Sequence, residues 1–311
     1  MEEPFKYTDI PSMLKETFKE WNGDDPFGKA ASVAYYAVFS LPGLLWIIVT
    51  LTGIFLDEET ITGAIHSQIS NLIGPDAASS VQNMLLKSKT EDEPLWATVI
   101  GIGSLLFGAS GLFFQLQKIL NAIWDVQKKE NLGILTLLRD RVTSLGIVLV
   151  IGFLLLMSLV ISAAISAVSD WVTQYFSERL AILSIVANII LSLGVVALLF
   201  ATIFKVLPDV KIKWRMVWVG ATITSVLFTI GKTLIGYYLS MANPASNFGT
   251  SGAIILILLW VSYSCLILFF GAEFTKVFGR RYGYAIRPSS HATHTASYLM
   301  EQQETKDTPS A

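Results

Sequence analysis

The sequence predicts an all-α, polytopic membrane protein that crosses the bilayer six times. Three observations support this fold class: the chain is unusually apolar, its apolar residues form long runs, and Lys and Arg alternate between the segments that join the runs. Of the 311 residues, 53% are hydrophobic and only 15% are charged. Soluble proteins carry about 25% charged residues. The shortfall indicates that much of the surface faces lipid.

Six apolar runs divide the chain into domains. A helix needs roughly 20 apolar residues to cross a hydrocarbon core of ~30 Å. The six runs that meet this length cover residues 31–56, 95–116, 142–168, 181–206, 214–239 and 251–276. We therefore predict a six-helix transmembrane domain at residues 31–280. A cytoplasmic amphipathic segment at residues 1–30 precedes it, and a polar cytoplasmic tail at residues 281–311, which we expect to be disordered, follows it.

The positive charges predict the orientation of these runs. From the N terminus to the C terminus, the segments that join the runs contain 4, 2, 5, 1, 4, 0 and 5 Lys and Arg residues, when Lys205, Arg215 and Lys276 at the ends of runs are counted with the adjoining segments. Cytoplasmic segments of membrane proteins carry the excess of Lys and Arg. The alternation therefore predicts that both termini are cytoplasmic.

A short amphipathic helix is predicted just before the first run, lying along the cytoplasmic membrane surface. Leu14, Phe18 and Trp21 recur at helical spacing, with Lys and Glu on the opposite face. The next helix is predicted to start at Asp24-Asp25-Pro26, because a carboxylate can cap a helix whose first turn contains proline.

Pro42 and Gly43 lie inside the first run. A proline within a helix removes one backbone hydrogen bond and clashes with the preceding turn, so we expect a kink. The kink serves either as a moving hinge or as a fixed feature that lets a neighbouring helix pack closely. The sequence leaves both alternatives open.

The loop between the first two runs, residues 57–94, is the longest segment between runs. Ile61, Ile65 and Ile69 repeat at a spacing of four, and a Gly-Pro pair then interrupts the repeat. We predict two short amphipathic helices here, on the outer side of the membrane. They either lie on the outer leaflet or fold over the helical bundle.

Polar side chains collect at the cytoplasmic ends of the second and sixth runs. Gln115, Gln117 and Asn121 follow the second run, and Glu273 lies near the end of the sixth. Gln117 and Asn121 share a helix face, because they are four residues apart. We predict that the four residues form a cytoplasmic polar cluster. It either lines an opening in which Glu273 couples to protons or cations, or joins the two helices by hydrogen bonds.

Lys232 is the one cation well inside a run. It lies about 16 residues beyond Met216, which is ~24 Å along the helix, and therefore ~6 Å from the outer surface of the hydrocarbon core. Ionisable side chains at such positions are costly and are candidates for functional sites. The alternative is that the lysine stem extends to the interface.

The loop that follows Lys232 adds residues suited to an anion site. Ser246, Asn247 and Gly249 favour turns, and the first two can cap the helix that begins nearby. The positive end of that helix would then point toward the outer side. We predict that these three residues and Lys232 bind an anionic group. Glu273 lies on the other side of the membrane and cannot pair with Lys232.

Four sequence blocks carry a family resemblance. In chain order they read AYYAVFSLPGLL, GLFFQLQKILNAIWDV, VKIKWRMVWVGA and FGTSGAIILILLWVSYSCLILFFGAEFTKVF. Together they resemble the YihY/virulence factor BrkB family of bacterial inner-membrane proteins. The resemblance implies a six-helix protein of the cell envelope, in a family described as transporters and formerly labelled ribonuclease BN.

These observations favour a transporter of a lipid-like or anionic, envelope-related substrate. The alternative is a membrane scaffold for envelope biogenesis that transports nothing. We expect no enzyme activity and no nucleic-acid partner, because the chain lacks a cluster of His and carboxylates for two metals. His291 and His294 are a weak pair, so we predict no metal and no cofactor. The expected partners are the bilayer and the substrate, and the oligomeric state stays open.

Overall fold

The computed structural model describes residues 6–52, 63, 66, 70, 78, 79, 82, 103, 111–129, 178–242, 252–296 and 298–300. Most of these residues are helical. The chain divides into two compact units. Unit 1 comprises Met1–Asp24, Gln117–Leu227 and Leu268–Ala311, and unit 2 comprises Asp25–Leu116 and Phe228–Ile267.

Helices alternate with very short strands along the described residues. The main helices are α1 (Ile10–Gly23), α2 (Pro26–Thr52), α3 (111–123), α4 (Glu178–Val206), α5 (Trp214–Ala242) and α6 (Gly252–Arg281). The strands are β1 (Val126–Lys128), β2 (Val210–Lys211), β3 (Arg287–Pro288) and β4 (Ala292–His294). Helices α2, α4, α5 and α6 coincide with four of the predicted runs, and α3 continues a fifth. The third run and nearly all of the loop at 57–94 lie outside the described residues.

Helices α5 and α6 have the properties of membrane spans. Among the described residues, two stretches are long and apolar enough to cross a membrane: Trp214–Tyr238, with a mean hydropathy of 1.4, and Ile254–Arg281, with a mean hydropathy of 2.5. Large apolar side chains on α5, such as Ile230 and Leu234, are exposed. An apolar surface of this kind suits contact with lipid.

The predicted N-terminal helix is present as α1, and it also packs against other parts of unit 1. Met13 and Thr17 are buried, whereas Phe18 is 58% exposed. Trp21 contacts Phe270 of α6 edge to face, with ring centroids 6.0 Å apart. Helix α1 therefore buries both an apolar and a polar side chain within unit 1. Its placement at the membrane surface stays a prediction.

Helix α2 begins as predicted. Pro26 is its first residue, and the backbone N–H of Gly28 donates to Asp25 Oδ1 at 3.2 Å. Asp25 adopts a φ of 47°, a left-handed conformation that a capping aspartate tolerates. Pro42 and Gly43 lie inside α2, which continues to Thr52. Their role as a hinge stays a prediction.

Within unit 1, α5 and α6 interlock through two Gly-Thr pairs. A Cβ atom on Gly220 of α5 would lie 1.8 Å from Thr275 Oγ1 of α6, and one on Gly271 of α6 would lie 1.9 Å from Thr224 Oγ1 of α5. Each threonine hydroxyl donates to the carbonyl of the glycine four residues earlier in its own helix. The small residues thus let the two backbones approach closely.

In unit 2, glycine residues pack against tyrosine side chains instead. A Cβ atom on Gly231 would lie 2.0 Å from Tyr263 Oη, and Tyr263 Oη donates to the carbonyl of Phe228 at 3.2 Å. Gly111 leaves similar room for the ring of Tyr36. Gly111 lies near the end of the second run, and its lack of a side chain lets the ring of Tyr36 pack against α3.

The C-terminal segment corrects one expectation. We expected disorder after residue 281, but β3 pairs antiparallel with β2, and β4 pairs antiparallel with β1. Thus Val210 lies opposite Pro288, and Val126 lies opposite His294. The expectation of disorder is wrong for residues 287–294. Strands of two or three residues leave no periodic pattern, and their order comes from distant partners.

Candidate functional site

Asp209 is the centre of a buried hydrogen-bond network in unit 1. It lies in the turn between α4 and α5 and is 6% exposed. Asn121 Nδ2 of α3 donates to Asp209 Oδ2 at 2.8 Å, and Gln117 Nε2 donates to Asp209 Oδ1 at 3.4 Å. The backbone N–H of Asp209 donates in return to Asn121 Oδ1 at 2.7 Å. The turn is thereby joined to α3.

The C-terminal segment joins the same network. His291 Nε2 lies 2.9 Å from Asp209 Oδ1, which suits an N–H donating to the carboxylate. The backbone N–H of Ser289 also donates to the Asp209 carbonyl at 2.9 Å. Asp209 therefore connects three segments that are far apart in the sequence. Because protein donors occupy both of its carboxylate oxygens, its role is structural.

Glu273 has different surroundings. It lies on α6, is 1% exposed, and lines a cavity of about 830 Å³. We call this space the α6 cavity. Its walls come from α1, from the turn after α3, from the end of α6 and from the C-terminal segment. They include five carboxylates, those of Glu16, Glu20, Asp24, Asp125 and Glu273.

Three basic side chains line the same cavity: Lys19, Lys276 and Arg280. Lys276 Nζ lies 2.9 Å from Asp125 Oδ2, and the charge of Glu273 also acts on Lys276. Arg280 forms salt bridges with both Glu16 and Glu20 of α1. Carboxylates therefore outnumber Lys and Arg in the lining by two. The bridges from Arg280 hold α1 as one wall of the cavity.

Two nitrogen atoms of the lining residues lack a partner. Trp124 is 1% exposed, and the described residues place no hydrogen-bond partner near its Nε1. The same holds for the buried Nδ1 of His294, whose ring stacks on Tyr298. A buried polar group without a partner costs about 1–3 kcal/mol. Such atoms beside a cavity are candidates for ligand contacts.

The three amides of the predicted cytoplasmic cluster form hydrogen bonds with residues outside that cluster. The hydrogen bonds of Gln117 and Asn121 run to Asp209, and Gln115 Nε2 donates to Ser32 Oγ at 2.9 Å in unit 2. The grouping of these amides with Glu273 stays a prediction. The i, i+4 spacing correctly placed Gln117 and Asn121 on one face, but spacing within a helix does not reveal which carboxylate lies opposite. Lys276 lies three residues after Glu273 on α6, and the charge of Glu273 acts on it.

The predicted outer site is only partly described. Lys232 lies in the unit 2 part of α5 and is half-buried. Ser246, Asn247 and Gly249 lie outside the described residues. The grouping of these four residues stays a prediction.

Sequence reasoning missed Asp209, Asp125 and the place of Trp124, a residue type that is common at membrane interfaces. One signal for Asp209 was present: it is a lone acid in a short turn rich in Lys and Arg. Trp124 is instead buried beside the cavity. His291 and His294 diverge, because one binds Asp209 and the other lines the cavity. In the part of the chain that the structure describes, no three His, Cys, Asp or Glu residues could hold a metal ion.

Comparison with known proteins gives matches that span most of the chain. The family described as Virulence factor BrkB matches residues 17–296. A ribonuclease-like protein of Bacillus subtilis, YfkH, is 24% identical over 87% of this chain and 96% of its own. A UPF0761 membrane protein of Alteromonas mediterranea is 26% identical over 89% of this chain and 92% of its own. A UPF0761 membrane protein of Vibrio vulnificus is 26% identical over 81% of this chain and 77% of its own. No solved structure matches.

Proposed function

The chain belongs to the Virulence factor BrkB family of membrane proteins, and from this premise we propose that it transports a lipid-like or anionic, envelope-related substrate across the bacterial inner membrane. The observation that carries the proposal is the α6 cavity, about 830 Å³ with a charged lining, at the end of a membrane-length helix. Ligand sites typically enclose roughly 300–1,000 Å³. A polar space of this size suits a charged group that must leave water before it crosses lipid.

The proposal includes an orientation with both termini in the cytoplasm and six membrane spans. The basic residues at the end of α6, Lys276, Arg280 and Arg281, support this orientation, because such residues collect on the cytoplasmic side. The α6 cavity then opens at the cytoplasmic end of the protein. Reporter fusions after residue 311 and within residues 57–94 test this topology. A cytoplasmic signal from the loop at 57–94 would contradict it.

Lys232 forms the second binding site of the proposed transport path, near the outer surface of the membrane. With Ser246, Asn247 and Gly249 it would receive the anionic part of the substrate, since an ammonium group attracts such a part as a point charge. Pro42 and Gly43 of α2 would supply the hinge between states of the transporter. The supporting observation is the placement of Lys232 on a membrane-length helix, where a cation is costly.

The test is a substrate screen in reconstituted vesicles that compares the wild-type protein with Lys232→Met. We expect the variant to reconstitute normally and to transport at a rate lower by about tenfold, equivalent to ~1.4 kcal/mol. Lys211→Met is the matched control, because this exposed lysine lies outside the predicted runs. Unchanged transport by the Lys232 variant would contradict the proposed outer binding site. Transport of none of the envelope lipids or anions tested would contradict the whole proposal.

The interlock of α5 and α6 favours the alternative, a scaffold without transport. Gly220 and Gly271 bring these two helices into close contact, as a rigid structural element requires. The α6 cavity argues for transport, since a scaffold has no need of an enclosed charged space. The ribonuclease-like label of YfkH belongs to that relative, and we propose no nuclease activity for this chain.

A further inference from the structure

We propose that the α6 cavity binds a group carrying both an ammonium and an oxyanion, as in a phosphoethanolamine head group or an amino acid. This inference rests on the proposed function, because it names the chemistry of the substrate that the same cavity would receive. Two independent observations lead to it. One is the surplus of carboxylates among the described lining residues, and the other is a pair of buried nitrogen atoms that have no partner among those residues.

The carboxylate surplus favours an ammonium group. Five carboxylates face three Lys or Arg side chains around the cavity. Lys276 is bridged to Asp125, and Arg280 is bridged to Glu16 and Glu20. A ligand with only negative charge would add repulsion to this lining. An ammonium near Glu273 would instead offset the surplus. Aromatic side chains of the lining, among them Tyr284, offer ring faces that attract cations.

The buried nitrogen atoms favour an oxygen acceptor on the same ligand. Trp124 Nε1 carries a hydrogen and only donates. Among the described residues it has no acceptor, and His294 Nδ1 has no partner either. Both residues line the cavity and lie outside α6, which carries Glu273. A phosphate or carboxylate oxygen of a ligand would provide the missing acceptor.

The combination excludes ligands with only one of the two charges. A simple anion meets the surplus of carboxylates, and a simple amine leaves Trp124 Nε1 without an acceptor. A zwitterionic group satisfies both parts of the lining, and the cavity volume accommodates a lipid head group or a small free solute. The shared chemistry is therefore an ammonium linked to an oxyanion by a short chain.

The test measures binding to the purified full-length protein in detergent by titration calorimetry. The probes are glycerophosphoethanolamine, which has both charges, glycerol 3-phosphate, which has the oxyanion, and ethanolamine, which has the ammonium. We expect each single-charge probe to bind at least about tenfold more weakly than glycerophosphoethanolamine. Glycine, a small free zwitterion, is the fourth probe. Equal affinity for glycerol 3-phosphate and glycerophosphoethanolamine would overturn the proposal. It would also be overturned if neither glycerophosphoethanolamine nor glycine bound.

Variants then assign the binding to the cavity. Trp124→Phe removes the donor and keeps a ring, and Glu273→Gln removes the charge and keeps the shape. Each is expected to weaken binding by about tenfold, whereas Trp214→Phe, an exposed tryptophan outside the cavity, leaves it unchanged. Size-exclusion profiles confirm that each variant is folded. Two folded cavity variants with wild-type affinity would overturn the proposal.

Two further measurements distinguish a lipid head group from a free solute, and a failure of this inference from a failure of the proposed function. Competition by phosphatidylethanolamine in vesicles, but not by phosphatidylglycerol, identifies a lipid head group. Tight binding of glycine identifies a free solute. Zwitterion binding in a protein that transports nothing overturns the proposed function and leaves this inference standing. Transport of a simple anion that Trp124→Phe does not slow overturns this inference alone.

Discussion

Asp209 and Glu273 are two buried carboxylates in the same unit, and their surroundings differ. Asp209 accepts hydrogen bonds from Asn121, Gln117 and His291, so protein groups use its acceptor capacity. Glu273 borders a cavity of about 830 Å³ and shares it with ionised side chains. A buried carboxylate surrounded by protein donors holds segments together, whereas one beside a cavity can act on a ligand.

The largest expected effect on stability is that of Asp209→Ala. The substitution leaves two amides and an imidazole without their acceptor, and each buried donor left unsatisfied costs about 1–3 kcal/mol. Unfolding by SDS in mixed micelles measures the loss. Asp209→Asn keeps the shape and one acceptor oxygen, so its cost is expected to be smaller. Equal stability of the alanine variant and the wild type would remove the structural role of Asp209.

Gly271→Ala is expected to have the next largest effect. Its Cβ atom would lie 1.9 Å from Thr224 Oγ1, so the α5–α6 contact has to shift. Overpacking of this kind costs about 1–3 kcal/mol, and the shift also displaces Glu273, two residues further along α6. The same unfolding measurement checks it. Gly236→Ala is the matched control, because the described residues leave open space around its Cβ. Equal effects of the two variants would contradict the interlock.

Arg280→Gln is expected to cost less than about 1 kcal/mol, because its bridges to Glu16 and Glu20 are partly exposed. The cost should shrink further at 1 M salt, which screens such pairs within ~3 Å. Unfolding in low and high salt measures both effects. A loss of several kcal/mol that salt does not reduce would show that α1 is held more firmly than the charges imply.

Glu273→Gln is expected to have the smallest effect on stability, under about 1 kcal/mol, while it weakens binding in the cavity by about tenfold. The amide keeps the shape of the side chain and removes only its charge. Unfolding and calorimetry on the same preparation check both halves. If Glu273→Gln destabilises the protein as much as Asp209→Ala does, the two carboxylates share one structural role and the comparison fails.

The helices were predictable because apolar runs and capping residues are local features. The four runs that correspond to α2, α4, α5 and α6 were found from length and hydropathy alone, and a carboxylate cap on α2 from Asp24-Asp25-Pro26, of which the structure selects Asp25. The family was also accessible, since its sequence blocks lie on these helices. Six spans and the positions of the termini stay predictions from the charge pattern.

The site was not predictable in the same way. The amides Gln117 and Asn121 were recognised, but their partner, Asp209, lies 88 residues from Asn121. The strands at 287–294 were expected to be disordered, because two or three residues carry no period. Trp124 has the residue type of an interfacial anchor, and only its environment shows that it is buried beside a cavity.

By itself, the sequence determined that the chain is a helical membrane protein of a recognisable family, because hydropathy and charge act along a continuous stretch. The tertiary structure alone decided which carboxylate holds the fold and which borders the cavity. That distinction depends on the donors and empty space around each side chain, which come from segments far apart in the chain. The role of a buried carboxylate therefore depends on the groups that folding places around it.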